Sequence, residues 1–325
     1  MKTENKKQYI HFGERACGVL YWYLKSINIQ RKWFLLPTNI CPDVYFTFKK
    51  AGFNILWGDI EVDNLNLDLV KYSDLIRNHK IDGFLYNHTY GNEFTPLDKF
   101  KELKKLDPDL CIIDDRCLCM PDPEYITIPE CINLVLFSTN KKKQIDLGFG
   151  GYGYSSFNHK EIKEDFNSFD YDALSEAYSN ESFMNYLYDS KINTNWLNSG
   201  ELLLPSDEYK NKIKERSENV RTHKDQLLKI YRTMIPKTMQ LDEKYQNWRF
   251  NIKCDNRSFV LNMIKNIGFF AGTHYKSLGS IIDNKSFPIA EQMEQSVINL
   301  FIDFNYTTQM AKETAGIIKQ FAVIL

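Results

Sequence analysis

The stretch from Phe137 to Gly151 reads Phe-Ser-Thr-Asn-Lys-Lys-Lys-Gln-Ile-Asp-Leu-Gly-Phe-Gly-Gly and holds the side chains best suited to covalent chemistry. An apolar run, Ile132 to Phe137, brings the backbone to a sheet edge. A hydroxyl follows at Ser138, and Lys141, Lys142 and Lys143 precede a glycine-rich turn. A lysine amine can attach to a carbonyl carbon and can carry a proton once released. The same run also reads as a solvated basic loop behind a buried strand, the ordinary fate of a charge cluster. Other stretches offer complementary groups: Asp114 and Asp115 after the apolar Leu110 to Ile113, His88 within Asn87 to Gly91, and Thr38 to Cys41. Together they comprise an acidic pair, an imidazole, hydroxyls and an amine.

A candidate anion site lies near the start of the chain. Ala16, Val19, Leu20, Tyr23 and Leu24 recur at helical spacing between Glu14 and Lys25, with Gly13 at the entrance and Arg15 in the first turn. Free backbone N–H groups and the positive end of the helix dipole suit a phosphate, and a guanidinium strengthens the site. A glycine that starts a helix, with an arginine on its wet side, accounts for the pattern equally well.

The elements that must position these groups alternate. Trp33 to Leu36 reads as a strand, Asp43 to Ala51 as a helix and Phe53 to Trp57 as a strand. Helix near Leu67 to Arg77, strand at Gly83 to Tyr86, helix opening at Thr95-Pro96 and strand at Leu110 to Ile113 continue the rhythm. Thr95 is expected to cap its helix, with Pro96 in the first turn. Such alternation implies a parallel sheet covered on both faces, whose ligands bind beyond the carboxyl ends of the strands. A basic helix, Asp207 to Tyr231, presents a solvated or lobe-bridging face. Strand Arg249 to Ile252, helix Ser258 to Ile267, strand Ile298 to Ile302 and helix Thr307 to Phe321 then compose a smaller lobe. The expected class is α/β: a three-layer α/β/α large domain over 1–205, in which 160–205 is a connecting, interface-forming region, and a small α/β domain over 206–325.

Composition agrees with a chain of this type. At 325 residues it exceeds what one core usually organises, and a net charge of -1 gives no general pull towards nucleic acid or an anionic membrane. The charged start, Met-Lys-Thr-Glu-Asn-Lys-Lys, does not open a signal peptide, and no apolar run suits a membrane span, so a cytoplasmic protein is expected. Seven cysteines (Cys17, Cys41, Cys111, Cys117, Cys119, Cys131 and Cys254) lack a disulfide-framework spacing, and the Cys117-x-Cys119 pair has no partner at zinc-site spacing. Free thiols and no metal are expected.

Phe137-Ser138-x-x-x-x-Lys143 with Gly150-Gly151, preceded by Ile112-Ile113-Asp114-Asp115 and His88-Thr89-Tyr90-Gly91, resembles the DegT/DnrJ/StrS sugar aminotransferases. Pro37 to Asp59 is similar to the family's early sheet. Phe287-Pro288-x-Ala290-Glu291, Ile298-Asn299-Leu300 and the closing helix are similar to its small domain. The resemblance implies an aspartate-aminotransferase fold, fold type I, and pyridoxal 5'-phosphate as cofactor. It implies that Lys143 holds the cofactor covalently, that Asp115 pairs with its ring nitrogen, and that Arg15, Ala16 and Ser138 receive its phosphate. Thr38 is implied as a helper through its hydroxyl, or as a turn residue, and His88 as a group ordering a strand end.

Three positions depart from the family. Cys41 stands where many members stack an aromatic ring, Leu118 where a Gln or His faces the ring's phenolic oxygen, and Phe149 where a glutamate precedes the glycines. The family shares its site across a homodimer, with an Asn and an Arg from the partner subunit; the matching region here is Asn193 to Asn198, which has no arginine. The implied reaction moves an amino group from glutamate to a keto group of a nucleotide-linked sugar, for surface polysaccharide such as lipopolysaccharide or capsule. Two other readings stay open: a cofactor-dependent sugar lyase or dehydratase, and a non-catalytic relative that binds a nucleotide sugar or a sister subunit. Arg249, His274-Tyr275-Lys276 and Arg221 read as solvated surface, with contact to a pyrophosphate as the alternative.

Overall fold

Strands whose residues are apolar on both faces must be covered on both faces, and that requirement organises the larger part of the chain. The computed structural model describes residues 8–29, 31–125, 127–162 and 200–325. The large domain runs β1 (Tyr9–Gly13), α1 (Ala16–Ser26), β2 (Trp33–Pro37), α2 (Pro42–Lys50), β3 (Asn54–Gly58), α3 (Ser73–Arg77) and β4 (Gly83–Asn87). It continues through α4 (Leu97–Leu106), β5 (Cys111–Asp115), β6 (Leu134–Ser138) and β7 (Gly151–Ser155). The strands form one seven-stranded sheet in the order β1-β7-β6-β5-β4-β2-β3. From β6 to β3 the neighbours are parallel, whereas β7 is antiparallel to β6 and β1 antiparallel to β7.

Side chains alternate across this sheet with the two-residue strand period. Phe34, Leu36, Leu85, Ile113, Leu134 and Leu136 pack with α1 and α2 on one face. Leu35, Phe84, Tyr86, Ile112, Val135 and Phe137 pack with Ile76 of α3 and with Phe100 and Leu103 of α4 on the other. The expected three-layer α/β/α arrangement with a mostly parallel sheet is the one found. The antiparallel pair β1 and β7 was not foreseen, because Tyr-Ile-His-Phe-Gly and Gly-Tyr-Gly-Tyr-Ser carry no strong strand pattern of their own. The expected helix over Leu67 to Arg77 contracts to the short α3: Leu67 instead bridges Ile60, and the Asp68 carboxylate accepts from the N–H groups of Val70 and Lys71. Thr95 does not cap α4, since its hydroxyl accepts from Arg116 Nη2 at 2.6 Å.

The second lobe comprises α5 (Ser206–Met234), β8 (Phe250–Lys253), α6 (Arg257–Asn266), β9 (Ala271–Thr273) and α7 (Leu278–Asp283). It closes with α8 (Pro288–Ser296), β10 (Val297–Leu300) and α9 (Thr308–Phe321). Its antiparallel sheet has the order β8-β10-β9. The basic helix is lobe-bridging: Tyr209 and Ile213 enter the large-domain core, while Leu227, Leu228 and Tyr231 join the small-domain core with α6 and α9. Leu278 of α7 and Ala290 and Met293 of α8 pack into the large-domain core, and Asp59 at the end of β3 accepts from the N–H groups of Ile289 and Ala290 at the start of α8. No helix among the described residues is long and apolar enough to cross a membrane.

Candidate active site

Parallel strands that end together deliver their last residues to one edge, and here β4, β5 and β6 end at Asn87, Asp115 and Ser138. Asn87 and Asp115 are register partners, and all three residues line a cavity of 510 Å³. The N-terminus of α1 closes one side, through Arg15, Ala16 and Cys17, and the small domain closes another with Trp248, Arg249, Asn299 and Phe301. The loop after β6 supplies Lys141, Lys142 and Lys143. Lys141 and Lys142 are exposed, and Lys143 is the half-buried member of the run.

The lysine loop is held at several points. Thr139 donates its hydroxyl to Phe149 O at 2.8 Å, and Leu147 N–H donates to Thr139 O at 2.8 Å. Lys142 adopts a left-handed backbone, φ 63°, stabilised where its N–H meets Asp146 Oδ2 and its carbonyl accepts from Trp248 Nε1, each at 2.8 Å. Lys143 is close enough to Cys41 and Cys117 for its charge to favour their thiolates. Burial outweighs that field. The Cys41 thiol is pushed up to about 12 by burial and then by the Asp43 charge. Burial likewise carries Cys17 to about 12 and Cys117 well above its ordinary value. These thiols stay protonated near neutrality, so Cys41 offers a packing surface and not a nucleophile to rival Lys143. All seven cysteines are free.

Asp115 and Asp114 divide the work of the acidic pair. Asp115 is 8 % exposed, faces the cavity, and accepts from Cys117 N–H at 2.9 Å. Asp114 points to the other side of the strand and meets His88 Nε2 at 2.6 Å and Arg116 Nε at 2.9 Å. His88 donates its other ring N–H, at Nδ1, to Asn92 O at 2.5 Å. Burial pulls the His88 imidazolium down, but the Asp114 charge and hydrogen bond more than reverse this and raise it to about 10. His88 therefore fixes the ends of β4 and β5 as a buried cation, with both ring nitrogens committed.

The helix entrance is where the sheet comes closest. A Cβ on Gly151 would stand 2.1 Å from Ala16 N, so only glycine lets β7 pass the start of α1. Gly150 has φ 92°, and a side chain there would meet Tyr209 Oη. Arg15 reaches this corner, yet its Nη2 forms an ion pair with Asp43 Oδ2 at 2.9 Å. Sequence reading missed Asp43 because an acid in the first turn of α2 looks like an ordinary helix-dipole residue. Thr38 is not among the residues lining the cavity: its buried hydroxyl contacts Ser277 Oγ and accepts from Gly279 N–H, both at 2.8 Å, tying β2 to α7.

The solvated reading of Arg249 is overturned. It is 3 % exposed, ion-paired with Asp303 at 2.7 Å, and packed against the rings of Trp248 and Phe301. Tyr275 also lines the cavity and His274 is buried, whereas Arg221 is exposed as expected. Leu118 lines the cavity, and its carbonyl accepts from Gln144 Nε2 at 2.9 Å. Among the described residues Asn87 Oδ1 is buried without a hydrogen-bond partner beside the same space; Asn87 was expected at this strand end but was given no role of its own. The stretch Asn193 to Asn198 lies outside the described residues. Among the described residues no cluster could hold a metal ion.

No protein-family profile and no curated protein matches the chain. Solved structures do match it. A Helicobacter pylori aminotransferase, PseC, involved in the biosynthesis of pseudoaminic acid, aligns with a TM-score of 0.69 at 13% identity, over 96% of this chain and 86% of its own. A DegT/DnrJ/EryC1/StrS aminotransferase from Brucella abortus aligns at 0.66 and 13%, over 96% and 86%. The sugar aminotransferase CalS13 from Micromonospora echinospora aligns at 0.65 and 12%, over 96% and 87%. The chain shares their fold along almost its whole length.

Proposed function

We propose that this chain is a pyridoxal-phosphate-dependent aminotransferase that transfers an amino group from glutamate to a keto group of a nucleotide-linked sugar, in the making of a surface polysaccharide. The observation that carries the reading is the meeting of Lys143, Asp115, Ser138 and the entrance of α1 around one cavity, in a chain with the fold of sugar aminotransferases. The residues present fit the cofactor. Arg15, Ala16 and Cys17 at the entrance of α1, the Asp115 carboxylate at the end of β5, Ser138 at the end of β6 and the half-buried Lys143 all line the same cavity.

When bound, the cofactor supplies an electron sink that makes the C–H bond of an attached amine acidic. Lys143 Nζ would hold it covalently and would be the amine able to take and return a proton. Asp115 would pair with the ring nitrogen, and the His88, Asp114 and Arg116 network beneath fixes the strand end that carries it. Ser138 and the start of α1 would receive its phosphate. Arg249, Trp248 and Tyr275 line the cavity from the side of the small domain.

One observation favours a second reading, the non-catalytic relative: Asp43 places a carboxylate on the Arg15 guanidinium, at the end where a phosphate is to bind. Absorbance separates the two. Purified protein given pyridoxal phosphate should develop a visible band that glutamate bleaches, and Lys143→Ala should remain colourless. A wild type that stays colourless, or a Lys143→Ala variant with the same band, would overturn the proposal. Amino nitrogen in the product distinguishes transfer from a lyase or dehydratase.

A further inference from the structure

The helix that crosses between the lobes carries one residue out of keeping with its buried stripe. Lys224 stands with Val220, Leu227, Leu228 and Tyr231 and is 8 % exposed, at a spacing where an amphipathic helix places an apolar side chain. Its ammonium donates to Gln144 Oε1 at 2.6 Å and to the main-chain carbonyl of Asn247. Gln144 directly follows Lys143 and reaches on to Leu118 O. Asn247 Nδ2 donates to Gly91 O at 3.0 Å, and its neighbour Trp248 donates to Lys142 O at 2.8 Å. One cation therefore joins the lysine loop, the turns after β4 and β5, and the segment leading into β8.

Among the described residues Lys224 has no carboxylate partner. Asp225 and Glu93 act on it only through longer-range attraction, and Arg249 repels it. Burial first, and Arg249 next, pull its ammonium down to about 7. A buried cation held by neutral acceptors costs folding stability, so packing alone would be better served by methionine or leucine. We propose that Lys224 is a positioning residue for Lys143, clamping the loop that carries it to the Asn247–Trp248 segment so that its placement in the cavity depends on the small domain. The cofactor part of this statement rests on the function proposed above; the clamp itself does not.

Two variants and two readouts test it. Lys224→Met removes the donor, and Gln144→Leu removes the acceptor on the loop. In each, amide hydrogen exchange of the full chain without cofactor should accelerate by about tenfold within 139–149, the effect of losing the charge-assisted hydrogen bond that both variants remove, with regions away from the clamped turns and the Asn247–Trp248 segment unchanged. The rate at which bound pyridoxal phosphate is lost should rise by about the same factor, and Lys224→Arg should restore part of both. Wild-type exchange and release rates in both variants would overturn the clamp, as would an acceleration spread evenly over the chain. Should Lys224→Met fail to fold, Gln144→Leu decides. Should the wild type take up no cofactor, the functional reading fails and exchange alone decides the clamp.

Discussion

Arg15 and Asp43 set the sharpest question at the scale of single residues. The guanidinium stands at a helix entrance suited to phosphate, but its charge is offset by a carboxylate 2.9 Å away, with both side chains largely buried. Replacing Asp43 by asparagine keeps the shape and removes the competing charge. Asp43→Asn is expected to tighten pyridoxal phosphate binding by about tenfold, roughly 1.4 kcal/mol, measured by titrating the visible band. Weaker binding would show that Asp43 serves by orienting Arg15. The thiols allow a second check. With Cys17 and Cys41 pushed up to about 12, almost no thiolate exists near neutrality, and iodoacetamide should modify both far more slowly than an exposed cysteine, as peptide mass mapping would show.

At the scale of elements, two contacts determine whether the pieces meet. The start of β7 passes α1 only because residue 151 has no side chain. Gly151→Ala puts a methyl group against backbone and is expected to cost about 1–3 kcal/mol, as overpacking does, and to weaken cofactor binding with it. Chemical denaturation and the absorbance titration would report the two effects separately. Asp59 at the end of β3 caps α8, 230 residues further along the chain. Asp59→Ala should cost about 1 kcal/mol, the usual value of a lost cap, and leave the visible band in place. By residue type alone the three lysines form a cluster, and the family resemblance is what singled out Lys143. Which one turns inward depends on the left-handed backbone at Lys142 and on the indole that grips its carbonyl, and neither is encoded in the spacing.

At the scale of the whole molecule, the buried pair of His88 and Asp114 makes one pH-dependent contribution to stability. His88 is raised from 6.5 to about 10, so its contribution is complete below 6.5 and is lost as pH rises towards 10. Asp114 is lowered from 3.8, despite burial, by His88 and Arg116, so the same contact fails in acid as pH falls through the folded value. Lys224 acts oppositely on the alkaline side: lowered from 10.5 to about 7, it penalises folding fully below 7 and ceases to as pH approaches 10.5. The difference between wild type and His88→Gln therefore isolates the histidine. Urea melts should show His88→Gln less stable by about 3–5 kcal/mol near pH 6, with the gap narrowing towards pH 10. A gap independent of pH would show that His88 contributes shape alone.

The sequence by itself determined the alternation of strands and helices, the three layers and the strand-end positions of Asp115 and Ser138. These follow from apolar runs and turn residues that act over a few positions, so they are written locally. The pairing of β1 with β7, the capture of Arg15 by Asp43, the withdrawal of Thr38 to α7 and the burial of Arg249 and Lys224 were decided by the tertiary structure. Each joins groups distant in the chain. A polar side chain reads as solvated until a partner from another element is brought against it, and only the folded geometry supplies that partner.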